Sequence, residues 1–249
     1  MNNFWHSLNK ISSLCSKIYT AFNGTDEFFE AGAVTDYSFV QNTAVCTVTF
    51  WMKFTDYTED RLQVVMSTCG IASGNKGFAI WYDNRTVQSS PKYLRMFVPN
   101  AGGAGSVIQS LTLDDVIVDN SWHHVAVVMD ATNAFFYIDD VKQTGSDTVG
   151  VLSTGNNTFA FNAGKANTAA HLFHGDLAHI TIWDTNLSDS EITEIHDEGR
   201  GTGVDYSGMT NYSANCISHW KLDTLNPVDV KGSINGTSNN MDASNIICG

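Results

Sequence analysis

Basic residues are scarce in this chain. Lys and Arg together number 13 against 26 Asp and Glu, for a formal net charge of −13. Nucleic-acid backbones are held by cations that release counterions, so nucleic acid and anionic membrane surfaces are not expected partners. The surplus acid serves solubility instead. Apolar runs are short as well: no stretch of eighteen exists, so no membrane-spanning helix is expected. The first twenty residues, MNNFWHSLNKISSLCSKIYT, lack a basic start, a compact apolar core and a small-residue cleavage site, so they do not read as a secretory signal. The five cysteines form no CxxC pair and no zinc-like spacing. At most two disulfides can form, and Cys216 with Cys248 is the pair to test first. Only three prolines occur, beside 20 glycines and many Asn, Ser and Thr. That balance suits short strands joined by polar turns rather than a disordered chain.

Hydrophobic residues make up 43% of 249 positions, enough for a sizeable core in one large all-β domain or two small ones. Alternation recurs along the chain. In CTVTFWMKF (46–54), Cys46, Val48, Phe50, Met52 and Phe54 oppose Thr47, Thr49, Trp51 and Lys53. Segments 77–83, 92–98, 158–164, 176–184 and 217–223 read similarly, with turn signals between them. Helical spacing occurs twice. Phe4, Trp5, Leu8, Ile11, Cys15 and Ile18 make an apolar stripe over residues 1–20. In LSDSEITEIHDEG (187–199), Ser188 and Glu191 have capping-box spacing and Gly199 suits the stop. Many strands with one late helix predict an antiparallel two-sheet sandwich.

The stretch SWHHVAVVMDATNAFFYIDDV (121–141) poses a local question, because paired histidines head it and paired aspartates close it. On a strand His123 and His124 point to opposite faces and cannot ligate one ion together. Asp130-Ala131-Thr132-Asn133 has turn chemistry, and Phe135 to Val141 reads as a return strand. The expectation is a hairpin, not a metal or catalytic site.

The order of FNGTDEFFEAG, VCTVTFWMKF, SWHHVAVVMDATNAFFYIDD and FHGDLAHITIWDTNLSDSEITEIHDEG resembles the concanavalin A-like lectin/glucanase superfamily, in its laminin-G-like and pentraxin-like branch. The resemblance spans about residues 21–249 and implies a jelly-roll sandwich, with residues 1–20 as a separate amphipathic helix or anchoring tail. It also implies where sites would lie. Pentraxins hold calcium with carboxylates and amides, since a hard cation takes several oxygens. The matching positions here are Gly74 and Asn75, then Lys165, Ala166 and Asn167. A double calcium site is therefore not expected. No cofactor is expected, and a single structural calcium on backbone oxygens with Asp26 or Asp223 is the one metal option left. The family disulfide would use Cys46, but its partner position is Ala126. Jelly-roll glucanases carry an acid ladder on one strand, so that nucleophile and general acid flank the glycosidic bond. The nearest string here, EITEIHDE (191–198), is helical, which argues against an enzyme.

Binding remains. Sugars are met by aromatic faces and a few hydrogen-bonding groups in a shallow concavity. Trp51, Trp81, Asp83, Tyr93 and Arg95 are the candidate carbohydrate-binding residues, framed by loops 99–106 and 165–175. The expected protein is a non-catalytic, lectin-like or surface-display component of a virus or phage. Its partners would be a glycan or capsid and tail subunits, and it would sit outside cells or on a virion. A secreted carbohydrate-binding protein is the alternative, with a jelly-roll glycoside hydrolase behind it. The tail would either pack on its own domain or dock on a partner subunit.

Overall fold

The computed structural model of the chain describes residues 15–55, 61–70, 75–83, 85, 93–101, 107–112, 120–143, 147–166 and 171–249. The strands are β1 (Ile18–Asn23), β2 (Phe28–Ala31), β3 (Val45–Phe54), β4 (Leu62–Ser67), β5 (Ala79–Asp83), β6 (Tyr93–Phe97), β7 (Val107–Thr112) and β8 (His123–Asp130). They continue as β9 (Asn133–Ile138), β10 (Val141–Lys142), β11 (Asp147–Thr148), β12 (Phe161–Ala163), β13 (His174–Trp183), β14 (Cys216–Trp220), β15 (Gly236–Asn239) and β16 (Ile246–Cys248). Three α-helices accompany them among the described residues: α1 (Phe39–Thr43), α2 (Asp189–Glu198) and α3 (Tyr212–Asn215). The sandwich expected from the alternation is present.

One sheet has nine strands. Its main path runs β10-β9-β8-β3-β13-β1-β16, with β11 on β9 and β14 on β13. The facing sheet has seven, in the order β15-β2-β12-β4-β5-β6-β7. Strand β13 holds the first sheet together. Its early residues pair with β1 and its later ones with β14, and the break falls at a bulge where His179 takes φ 49°. The core lies between the sheets: Val48 and Phe50 of β3 and Val125 and Val127 of β8 meet Ile80 and Tyr82 of β5 and Leu94 and Met96 of β6. Each such side chain removed from water contributes roughly 1.5–3 kcal/mol. Phe161 of β12 stacks on Trp220 of β14 with ring centroids 4.9 Å apart, joining the two sheets across the core.

A second apolar layer covers part of the outer face of the nine-stranded sheet, over β8, β9 and the end of β13. Helix α2 buries Ile192 and Ile195 over Ala126, Val128, Tyr137 and Trp183. Its expected cap is real: the Ser188 hydroxyl accepts the Glu191 N–H, and the Glu191 carboxylate accepts the Ser188 N–H at 2.9 Å. The 121–141 hairpin also forms. Asp130 Oδ1 accepts the N–H groups of Thr132 and Asn133, closing its turn. Within it His123 Nδ1 pairs with Asp139 at 2.7 Å, while His124 points the other way, toward α2.

Three expectations need correction. The N-terminal helix was expected over residues 1–20. Residues 1–14 lie outside the described residues, but Ile18–Thr20 already belong to β1, where Ile18, Thr20 and Phe22 are buried at a period of two. Sheet pairing to β13 and β16 overrides the helical spacing there. The disulfide joins Cys15 to Cys248, not Cys216 to Cys248. Strand β16 pairs antiparallel with β1, Ile18 opposite Cys248, and this brings the two ends of the described chain together. Cys216, across β13, stays buried and free. The short helices α1 and α3 carried no cap signal in sequence, and neither has a side-chain cap. Cys46, the half-match to the family disulfide, is buried and free; Met129 is its cross-strand neighbour, and Ala126 faces Thr49.

Candidate functional site

The five residues proposed from sequence do not share one surface. Strands β5 and β6 align Trp81 with Arg95 and Asp83 with Tyr93, so these four positions fall on one face of the seven-stranded sheet, away from the core. Trp51 is on the other sheet. It lies on the outer face of β3, half-buried, with its indole stacked on His196 of α2 at 5.6 Å and near His124 at 5.3 Å. The polar side of its strand is thus roofed by a helix rather than open to a ligand.

The group on β5 and β6 is also more structural than the sequence suggests. Trp81 is only 5% exposed and packs with Phe97, Leu62, Val64, Cys69 and Ala166. Its Nε1 has no hydrogen-bond partner among the described residues. Asp83 is fully buried and engages Arg85 through two side-chain hydrogen bonds of 2.9 and 2.8 Å, with Arg95 Nη1 at 3.8 Å. Burial alone would raise its pKa, but the hydrogen bonds and charge of Arg85, with Arg95, hold the carboxyl below its ordinary value. A carboxylate satisfied in this way has little left to offer a sugar hydroxyl.

An open concavity lies next door. The segment after β12 turns back on itself through the Lys165–Leu172 bridge, and Phe173 N–H donates to the Gly164 carbonyl. Gly164 allows this turn, because its φ of 89° is left-handed and an added Cβ would strike the Phe22 ring at 2.6 Å. Ala166 then enters the cluster around Trp81, while Lys165 faces the seven-stranded rim. There Lys165, Leu172, Phe28, Thr25, Asp26 and Asn240 enclose a cavity of about 190 Å³. Its apolar side is Phe28 and Leu172. The β1–β2 turn supplies Thr25 and Asp26, and Asn23 holds that turn by accepting both their N–H groups on its side-chain oxygen, at 2.7 and 3.2 Å. Asn240 is tied to the same turn through its Nδ2 and the Asp26 carbonyl at 3.2 Å. The Lys165 ammonium rests 3.8 Å from the Phe28 ring centroid, a cation–π contact that keeps both groups at the cavity mouth.

The cavity is smaller than the roughly 300–1,000 Å³ of drug-sized pockets, so it suits one sugar residue or a terminal group. It mixes an aromatic ring with donors and acceptors of both charges. Sequence reading had named loop 165–175 as a frame and Asp26 as an acid of interest. It missed Phe28 and Asn240, which come together only because β2, β12 and β15 are neighbours. No local pattern marks them.

Catalysis would need paired carboxylates about 5–9.5 Å apart across a bond. Among its lining residues the cavity has one, Asp26. The helical acids are occupied or exposed: Glu191 completes the cap and accepts from Asn211, and Glu194 and Glu198 face solvent. Among the described residues no group of three or more His, Cys, Asp or Glu side chains could hold a metal, and the Asp26 side chain accepts from Asn23 Nδ2 at 3.0 Å.

A laminin G family model of the concanavalin A-like lectin/glucanases superfamily matches residues 26–193. Among curated protein sequences none matches. A solved structure of a candidate carbohydrate-binding protein from Bacteroides ovatus superposes with a TM-score of 0.63 at 18% identity, covering 94% of this chain and 60% of its own length. The chain thus spans less than two thirds of that protein. The CBM40 module of a Ruminococcus gnavus IT-sialidase gives 0.51 at 14% identity, covering 72% of this chain and 96% of the module. A heptameric SAP-like pentraxin from Limulus polyphemus gives 0.50 at 13% identity, covering 74% of this chain and 83% of that one. These likenesses concern the fold.

Proposed function

Because the chain belongs to the concanavalin A-like lectin/glucanases superfamily, we propose that it is a non-catalytic carbohydrate-binding domain whose glycan site is the rim cavity at Phe28 and Lys165. The observation that carries this reading is the cavity lining itself: an aromatic and an aliphatic wall facing Thr25, Asp26, Lys165 and Asn240. A sugar ring would lie against Phe28 and Leu172, and Lys165 would swing from the ring to meet a sugar oxygen. Thr25, Asp26 and Asn240 would supply orientation. Trp81 and its neighbours stiffen the wall from behind through Ala166. The CBM40 and Bacteroides ovatus neighbours support this choice by their names, not by shared residues.

Display follows from the same reading. The Cys15–Cys248 disulfide suits an oxidising exterior, and the proposal extends to the surface of a cell or virion. There a glycan is one partner and a capsid, tail or sister subunit the other.

A glycan array, followed by calorimetry on its strongest ligand, tests the cavity. Phe28→Ala and Lys165→Ala should each weaken that ligand at least tenfold, about 1.4 kcal/mol, with an unchanged melting temperature. Equal affinity in the double variant would remove the site. Release of reducing sugar from the bound glycan would remove the non-catalytic reading.

A further inference from the structure

The outer face of the nine-stranded sheet carries a second group that the rim cavity does not use. Tyr19 of β1, Lys53 of β3 and Asp176 of β13 stand in adjacent register there, because Lys53 is opposite Asp176 and the core takes the alternate residues Met52, Phe54 and Leu177. Trp122, just before β8, sets its indole edge-on to Tyr19, with ring centroids 5.0 Å apart. Over the indole lies Arg200, which follows α2, with its guanidinium carbon 4.2 Å from the ring centroid. Lys53 is already matched, at 2.8 Å from Asp176. Arg200 is not. None of its nitrogens lies in a salt bridge among the described residues, and Nη1 is buried with no hydrogen-bond partner.

This is an unusual state for a guanidinium. Its donors in a planar fork match a carboxylate in two parallel hydrogen bonds; Nη1 is enclosed, so the edge carrying Nε and Nη2 is the one left for such a pair. Burial also works against the charge and pulls the Arg200 pKa below its ordinary value, against smaller opposing pulls from Tyr19 and Asp176. The stack on Trp122 fixes the guanidinium against free rotation. Trp122 and Tyr19 are both half-buried, leaving ring surface beside the fork. With a formal net charge of −13, long-range attraction works against any anion. Recognition here must therefore be short-range and geometric.

We propose that Arg200, held on Trp122 beside Tyr19, is a second glycan site specific for an acidic sugar, its guanidinium taking a uronic-acid carboxylate while the rings carry the sugar face. The site lies on the opposite sheet from the rim cavity and does not depend on it.

Trigalacturonate and its fully methyl-esterified form are suitable probes, since they differ only in the carboxylate charge. In calorimetry, trigalacturonate should bind the full chain and the ester at least tenfold more weakly. Arg200→Lys keeps the charge but loses the fork, and should weaken trigalacturonate at least tenfold; Arg200→Gln should abolish measurable binding. If Arg200→Gln fails to fold by near-ultraviolet dichroism, the Arg200→Lys comparison carries the test. Phe28→Ala should leave trigalacturonate binding unchanged. Equal binding of acid and ester, unaltered binding in Arg200→Lys, or no binding at millimolar trigalacturonate each overturns the proposal. Binding lost in Phe28→Ala but kept in the Arg200 variants would assign the acid to the rim cavity and overturn it too.

Discussion

Removing the Cys15–Cys248 bond is the most informative single perturbation of this fold. The bond closes a loop with a sequence separation of 233 residues, and the chain-entropy relation assigns such a loop about 5.5 kcal/mol of stabilisation. That figure is an upper bound. Strand β16 is only three residues long and sits at a sheet edge, with pairs Ile18↔Cys248, Tyr19↔Ile247 and Thr20↔Ile246. Once the bond is broken, β16 can fray locally before the sandwich unfolds, and its side chains are half-buried or exposed, so little apolar burial is lost. Measured losses for native disulfides fall at about 2–5 kcal/mol. For a chain of this size each kcal/mol moves the melting point by about 2–4 °C. Calorimetric melts should therefore show a drop of about 4–20 °C on adding a phosphine reductant, and the same drop in a Cys15→Ser/Cys248→Ser variant insensitive to reductant. Unreduced protein unfolded in guanidinium should titrate three thiols, Cys46, Cys69 and Cys216. Five titrating thiols, or a melting point that reductant shifts by less than a degree, would refute the reasoning.

Two further outcomes follow from the same geometry. His124 is fully buried, neither ring nitrogen has a hydrogen-bond partner among the described residues, and its pKa is pushed down to about 3, first by desolvation and then by His196, against a smaller opposing pull from Asp139. The unfolded chain takes up that proton near pH 6.5 and the folded chain only near 3. Stability is thus fully present above about 6.5 and falls as pH drops toward 3, by about 1.4 kcal/mol per pH unit from this residue. His124→Phe should flatten urea-derived stability between pH 4 and 6 by one proton, and parallel slopes for the two proteins would contradict this. For the tail, the strand start at Ile18 and the disulfide at Cys15 set where truncation can be made. Deleting residues 1–14 should leave a folded monomer that no longer joins its assembly in sedimentation, and an unaltered assembly would exclude docking through that segment.

Much of the architecture was legible along the chain because period-two alternation is a local signal. Strands β3, β8, β9 and β13 were marked by short runs rich in branched and aromatic residues bounded by turn signals, and all formed with small boundary shifts. The capping box at Ser188 is equally local and equally visible. Superfamily membership was readable for the same reason, since four such patterns occur in order. The sites were not legible, because they depend on which strands become neighbours. Trp51 and Trp81 look alike on paper, each an indole on a mixed strand. Helix α2 roofs one, and Phe97 with Ala166 encloses the other. Asp83 looked available until the fold put Arg85 and Arg95 around it. Cys216 and Cys248 are the nearer pair in sequence, yet the β1–β16 ladder delivers Cys15 instead. Phe28 with Lys165, and Trp122 with Arg200, are separated by long spans of chain and meet only across strands or over a sheet face. Alternation alone determined which residues face inward. What stands over each outward-facing residue was decided only by sheet order and helix placement, because a cross-strand or cross-layer contact has no signature in local sequence.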